Sequence, residues 1–206
     1  NLPNREPAML EAMYDMDLYH KMLQRNEGKP RFVLHDGPPF SNGYIHMGTA
    51  LNKCLKDFIN RYKSMTGYLV SYTPGWDNHG MPIESAIIKK QKLNRKEMTI
   101  PDFRNACRDF AADFVDKQRT QFKRLGVLGD WDHPYLTMDP AFEAEEVKIF
   151  GQMYQKGYIY KGKKPVYWCP SDETALAEAE IEYQDDPVTT IYVKFRVVDD
   201  LGGKLA

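Results

Sequence analysis

One segment, G-P-P-F-S-N-G-Y-I-H-M-G-T at Gly37–Thr49, lies between two stretches of different periodicity and limits what the chain can build. Before it, Arg31-Phe32-Val33-Leu34-His35 has the length and Val/Phe content of a buried parallel strand. After it, Ala50–Met65 sets Leu51, Cys54, Leu55, Phe58, Ile59 and Tyr62 at the spacing of one helix face. Asn52, Lys53, Lys56, Asp57, Asn60 and Arg61 fill the other face, and Gly67 is placed to end the helix in a left-handed cap. The Gly/Pro segment is therefore a strand-to-helix loop, with a helix N-terminus aimed at whatever lies above it.

Unpaired N–H groups and the positive end of the helix dipole converge at such a point, which suits an anion. Gly43 and Gly48 allow close backbone approach, and His46 adds a donor. The spacing fits neither G-x-G-x-x-G nor the Walker pattern with its Lys. Two readings stand on these residues alone: an anion site, or a structural turn with a capping His.

Tyr68–Thr73 reads as a second parallel strand, completing a βαβ unit. Its end delivers Pro74-Gly75-Trp76-Asp77-Asn78-His79-Gly80 to the same carboxyl edge as the loop, where open α/β sheets bind ligands. Trp76 is either part of that site or a hydrophobic plug behind it.

Periodicity predicts further helices over Pro7–Gly28 and Pro101–Leu125, and one opened by Asp139-Pro140 and closed by Gly157. Pro165–Cys169 reads as a strand. Beyond the break Gln184-Asp185-Asp186-Pro187, the stretch Thr189–Val197 alternates Ile191, Val193, Phe195 and Val197, as a half-exposed strand would. Lys89, Lys90, Lys92, Arg95 and Lys96 form a basic patch, a solvated face or an RNA contact.

A net charge of −1 over 206 residues gives no bulk attraction to nucleic acid or to membranes. Cys54, Cys107 and Cys169 are few and scattered, which fits free thiols and a reducing cytoplasm rather than a disulfide framework. Cys169-x-x-Asp172 lacks the second Cys or His that zinc requires, and no stretch approaches a membrane span.

His46-Met47-Gly48-Thr49 resembles the HIGH signature of class I aminoacyl-tRNA synthetases, with Asp36-Gly37-Pro38-Pro39-Phe40-Ser41-Asn42-Gly43 as its lead-in. P-G-W-D-N-H-G-M-P-I-E at 74–84 is similar to the isoleucyl branch of that family. Arg124-Leu125-Gly126-Val127, the run from Lys161 to Pro170 and the run from Ala175 to Tyr183 extend the resemblance from Leu2 to the end of the chain.

The resemblance implies an α/β fold: the N-terminal half of a Rossmann-like nucleotide-binding domain over residues 1–184, a parallel sheet with flanking helices. Residues 185–206 would supply the first strand of an inserted, β-rich editing domain. It implies activation of isoleucine with ATP and Mg2+ and transfer to tRNA(Ile), by a cytoplasmic monomer. His46 and Thr49 would be catalytic, with Asn42, Gly43 and Gly48 also on ATP. Gly37, Pro38, Pro39, Trp76, Asp77 and His79 would hold isoleucine, Asp77 pairing with its ammonium group. Thr49 replaces the second signature His, keeping a hydroxyl donor but no positive charge. A small adenylyltransferase and a non-catalytic tRNA-binding module are the competing readings. The second nucleotide signature, K-M-S-K-S, does not occur. Residues 1–206 alone are accordingly expected to give no isoleucine-dependent ATP–pyrophosphate exchange, and robust exchange would overturn this reading.

Overall fold

The computed structural model describes residues 1–199, 202 and 203. The chain divides into Asn1–Lys161 and Gly162–Ala206. The first unit opens with α1 (Leu2–Asp15) and α2 (Leu18–Arg25), where periodicity predicted one helix over Pro7–Gly28. Asp17, at φ 50°, breaks the run; aspartate is one of the few side chains that tolerates the left-handed region.

Three extended segments follow one another side by side. Arg31 bridges Leu69 and Phe40 bridges Asp77, both in parallel. Beyond them, β1 (Gly75–Trp76) pairs in parallel with β2 (Tyr135–Leu136). The parallel βαβ arrangement is present, but its ladders are short. Arg31–His35 is not a continuous strand: it is anchored at Arg31 only, and Val33 is 63% exposed. The second segment is likewise bridged at Leu69 and becomes a ladder at Gly75, later than Tyr68–Thr73. Part of that gap is filled by a side chain: the Tyr19 hydroxyl donates to Tyr72 O and accepts from Tyr72 N. Gly75 is required where it stands, since a Cβ there would lie 2.0 Å from the Tyr135 ring.

The helix after the loop, α3 (Met47–Met65), has the two faces that the sequence shows, but the polar one is turned inward. Lys53, Asp57 and Asn60 are buried, while Leu51, Leu55, Phe58, Ile59 and Tyr62 are 43–64% exposed. Two interactions hold the helix this way. Lys53 pairs with Asp36, both fully buried, and Lys53 also donates to the Tyr72 hydroxyl at 3.1 Å. Asp57 accepts from Leu128 N at 3.0 Å and pairs with Arg61, whose guanidinium donates to Gly126 O. An apolar stripe of this size on the outside is a surface made to be covered.

α4 (Met81–Gln91) and α5 (Ile100–Arg124) pack through Ile83, Ile87, Phe103, Phe110 and Phe114. A second cluster joins Tyr72, Trp76, Val115, Phe122, Val127 and Trp131, with Phe122 and Trp131 stacked at 5.9 Å between ring centroids. α6 (Pro140–Gln155) follows β2. No helix among the described residues is long and apolar enough to cross a membrane.

The second unit contains an antiparallel hairpin of β3 (Tyr167–Cys169) and β4 (Thr174–Leu176). Its turn passes through Glu173 at φ 54°. The strand expected over Thr189–Val197 is absent: no ladder forms there, and Ile191, Val193, Phe195 and Val197 are 60–87% exposed. Alternation specifies which side chains share a face, but a strand also needs a partner for its backbone groups. Part of the expected closing segment, residues 200, 201 and 204–206, lies outside the described residues.

Burial alone would raise the Asp36 pKa, but the ammonium groups of Lys53 and, at 2.7 Å, Lys56 outweigh it and hold it below the ordinary value. A carboxylate with a depressed folded pKa contributes fully above its unfolded value, and loses that contribution as pH falls through the folded one. Asp36→Asn leaves Lys53 buried without its counter-charge and should cost about 3–5 kcal/mol in urea unfolding at neutral pH. Lys53→Met, which leaves Asp36 with Lys56, should cost less. The gap between wild type and Asp36→Asn should be constant above about pH 4 and shrink below it.

Candidate functional site

His46 is the N-cap residue of α3, its Nδ1 accepting from Thr49 N at 3.3 Å. This is the capping role expected of a structural turn. The two roles are compatible, because a ring whose Nδ1 accepts carries its proton on Nε2, and the imidazole is exposed. One His both closes the helix end and presents an N–H outward. Gly48 leaves room for that ring: a Cβ there would sit 3.0 Å from His46 Cε1 and 3.1 Å from Nδ1.

The acidic turn is joined to the loop by backbone. Asp77 N donates to Pro39 O at 3.0 Å and Ser41 N donates to Asp77 O at 3.2 Å. The ladder that should have run along the first two strands thus reappears at their carboxyl ends, where it fixes Asp77 beside the P-P-F-S segment. The Asp77 carboxylate is half-buried and accepts weakly from His79 N at 3.4 Å. Asn78 is buried and donates to the Ser41 hydroxyl at 2.8 Å, a second tie between turn and loop.

The remaining residues singled out in the sequence fall in different places. Asn42 reaches across to α4, at 3.5 Å from Pro82 O. The His79 ring is turned toward α6, with Nε2 at 3.1 Å from both Thr137 O and a Glu143 carboxylate oxygen. Pro38 lines a cleft of about 540 Å3 with Asp36, Thr73, Tyr135 and Phe142. Burial, and then the Asp36 and Asp77 carboxylates, raise the Tyr135 pKa in that cleft. His79 lines another cleft, of about 460 Å3, with Glu84, Arg104 and Arg108. Trp76 is 1% exposed and packs against Phe122 and Trp131, so it holds the turn from behind.

Three residues that sequence reasoning did not single out for the site brace the loop. Gln118 donates from Nε2 to Phe40 O at 2.9 Å and to Gly43 O at 2.7 Å, and its Oε1 accepts from the Trp76 indole at 2.9 Å. Gln121, one helical turn on, accepts from Ile45 N at 3.1 Å. Lys90 donates to Asn42 O at 3.0 Å from above the Phe114 ring, so this member of the basic patch is a strut. The Gln118 signal was legible: Phe110, Phe114, Gln118 and Phe122 are four apart, and a polar residue breaking an apolar stripe must find partners when buried.

Residues 8–198 match the class I tRNA synthetases (I, L, M and V). The chain belongs to this family. It is 60% identical over 202 residues to an isoleucine–tRNA ligase of Thermoanaerobacter pseudethanolicus, covering 98% of this chain and 22% of that protein. Isoleucine–tRNA ligases of Caldicellulosiruptor bescii, at 58% over 202 residues, and Bacillus cytotoxicus, at 60% over 199, are comparably similar. The chain therefore spans about a fifth of the length of these relatives, 22% in each case. In fold it is similar to a LeuRS of Agrobacterium radiobacter solved in a ternary complex with tRNA and LeuAMS. The TM-score is 0.67 at 24% identity, covering 84% of this chain and 20% of that one.

Gly48→Ala should push the His46 imidazole out of its cap. Loss of an N-cap bond costs about 0.5–2 kcal/mol. Hydrogen exchange should show the Thr49 amide losing protection while amides in the middle of α3 keep theirs.

Proposed function

We propose that this chain is the part of an isoleucine–tRNA ligase that holds isoleucine and ATP during formation of isoleucyl-adenylate, which then serves tRNA(Ile). The observation that carries the reading is the pair of backbone hydrogen bonds between Asp77 and the loop at Pro39 and Ser41, because it ties an acidic turn to the loop that leads into an anion-suited helix end. The relatives named isoleucine–tRNA ligase support the choice of amino acid.

In this reading the isoleucine carboxylate attacks the α-phosphate of ATP, and pyrophosphate leaves. The protein supplies position and hydrogen-bond donors for the charge that grows on phosphate oxygens. His46 Nε2–H is such a donor, placed beside the N–H groups of the first turn of α3. Thr49 adds a hydroxyl, Asn42, Gly43 and Gly48 border the nucleotide, and Asp77 pairs with the substrate ammonium. Gly37, Pro38 and Pro39 wall the side-chain pocket, His79 lies at its edge, and Trp76 contributes by anchoring the turn. In this reading Mg2+ accompanies the ATP. Residues 1–184 belong to the nucleotide-binding domain and 185–206 open an inserted domain. The exposed apolar face of α3 is covered by the rest of the longer polypeptide.

In the full-length protein, His46→Ala should lower the rate of isoleucine-dependent ATP–pyrophosphate exchange far more than it weakens isoleucine binding. Asp77→Ala should weaken isoleucine with little change in ATP binding. Equal losses of rate and isoleucine affinity for the first, or a loss of ATP binding for the second, would reassign those residues.

A further inference from the structure

The loop at 37–49 and the turn at 74–80 would present their ligands from separate stretches of chain, so their relative placement decides whether two bound substrates can react. We infer that Gln118 is the positioning residue that sets this placement. The inference rests on the proposed reading of loop and turn as the adenylation site.

Gln118 is 3% exposed, and its amide spends every strong hydrogen-bonding group on the two stretches. Both protons of Nε2 go to the loop, at Phe40 O and Gly43 O, which bracket Ser41-Asn42. The oxygen goes to the turn, at the indole of Trp76, the residue before Asp77. A planar amide holds its donors and its acceptor in one fixed frame, so the loop and the turn are referred to a single rigid group. α5 is a stable carrier: it is 25 residues long and is packed on both sides of Gln118 by Phe114 and Phe122, each buried. Gln121 repeats the contact at Ile45, next to His46.

Backbone bonds already join Asp77 to Pro39 and Ser41. Beyond Ser41 the loop runs to His46 with other support: Asn42 and Gly43 are held through their carbonyls by Lys90 and Gln118, and Ile45 through its N–H by Gln121. Removing Gln118 therefore leaves the isoleucine side of the site paired and loosens the nucleotide side, which keeps only Lys90 at Asn42 O and Gln121 at Ile45 N. Each substrate should still bind, but the attacking carboxylate and the α-phosphate should no longer be aligned. A small misplacement of reacting atoms costs on the order of a hundredfold in rate.

The test is exchange kinetics in the full-length protein with Gln118→Glu, which keeps the acceptor for Trp76 and loses both donors, and Gln118→Met, which keeps the length and loses all three bonds. Both should lower kcat roughly ten- to a hundredfold, per folded molecule counted by circular dichroism, while KM for isoleucine and for ATP change little. Unchanged kcat in either folded variant would overturn the inference. So would a rise in KM at constant kcat, or a fall in melting temperature as the sole effect. His46→Ala separates the two claims: if it abolishes exchange while Gln118 variants keep their kcat, the inference fails and the site stands. If His46→Ala is also silent, the reading of the site itself fails.

Discussion

A loop that must leave its own N–H groups free for a ligand cannot be held by those groups. The segment at 37–49 meets this constraint by being gripped mainly through its carbonyls. Phe40, Asn42 and Gly43 each accept from a side chain on α4 or α5. Ser41 N and Ile45 N are used for anchoring, whereas the helix-end N–H groups past His46 are not among the anchoring bonds, the Thr49 amide donating to the His46 ring. The arrangement satisfies buried acceptors without spending the donors an anion would need. A glutamine is well suited to this work because its amide is a double donor, and an uncharged one carries no large desolvation cost.

The second constraint is the charge beneath the loop. Lys53 and Asp36 sit side by side, fully buried, with the Tyr72 hydroxyl and Lys56 completing the group. Desolvation of an ion pair is expensive, so such a pair is weak support for stability in itself but a strong penalty on any fold that separates its members. Burial lowers the Lys53 pKa even against the opposing pull of Asp36. Asp36 immediately precedes Gly37, and Lys53 lies on α3 just past its first turn. The pair thus fixes the two ends of the loop from below, as Gln118 and Lys90 fix its middle from the side.

How much of this could be read from the sequence follows from what each signal encodes. The loop-helix unit, the long α5 and the placement of the acidic turn at the same sheet edge were legible, because Gly/Pro punctuation and 3.6-residue periodicity are local properties. The faces of α3 were legible as faces, but hydropathy could not say which one turns inward. Lys53 and Asp57 take the inner side because Asp36 and the Gly126–Leu128 backbone await them there, and those partners are distant in sequence. The break at Asp17 and the missing strand at Thr189–Val197 have opposite origins. The first is a local backbone choice hidden inside a periodic pattern; the second is a pattern whose pairing partner is not supplied. In the site, His46 and Asp77 carried their own signals, whereas Gln121 and Lys90 look like ordinary helix-surface residues until their targets are known.

These features together divide the unit into a side that is finished and a side that is not. Around Gln118 the loop carbonyls and the Trp76 indole are matched, the aromatic rings interlock and the backbone of loop and turn is paired, while Asn78 Oδ1 and Arg119 Nε are buried without a partner. On α3 the outward apolar stripe and the 63% exposed Val33 of the first extended segment remain open to solvent. Burying such a stripe would gain stability in proportion to its apolar area, yet it would not by itself move the loop, whose supports are Gln118, Gln121 and Lys90 at the side and the buried Asp36–Lys53 pair beneath, none of them on that stripe. The geometry of loop and turn is therefore set within these residues, and whatever covers α3 acts on a platform already built.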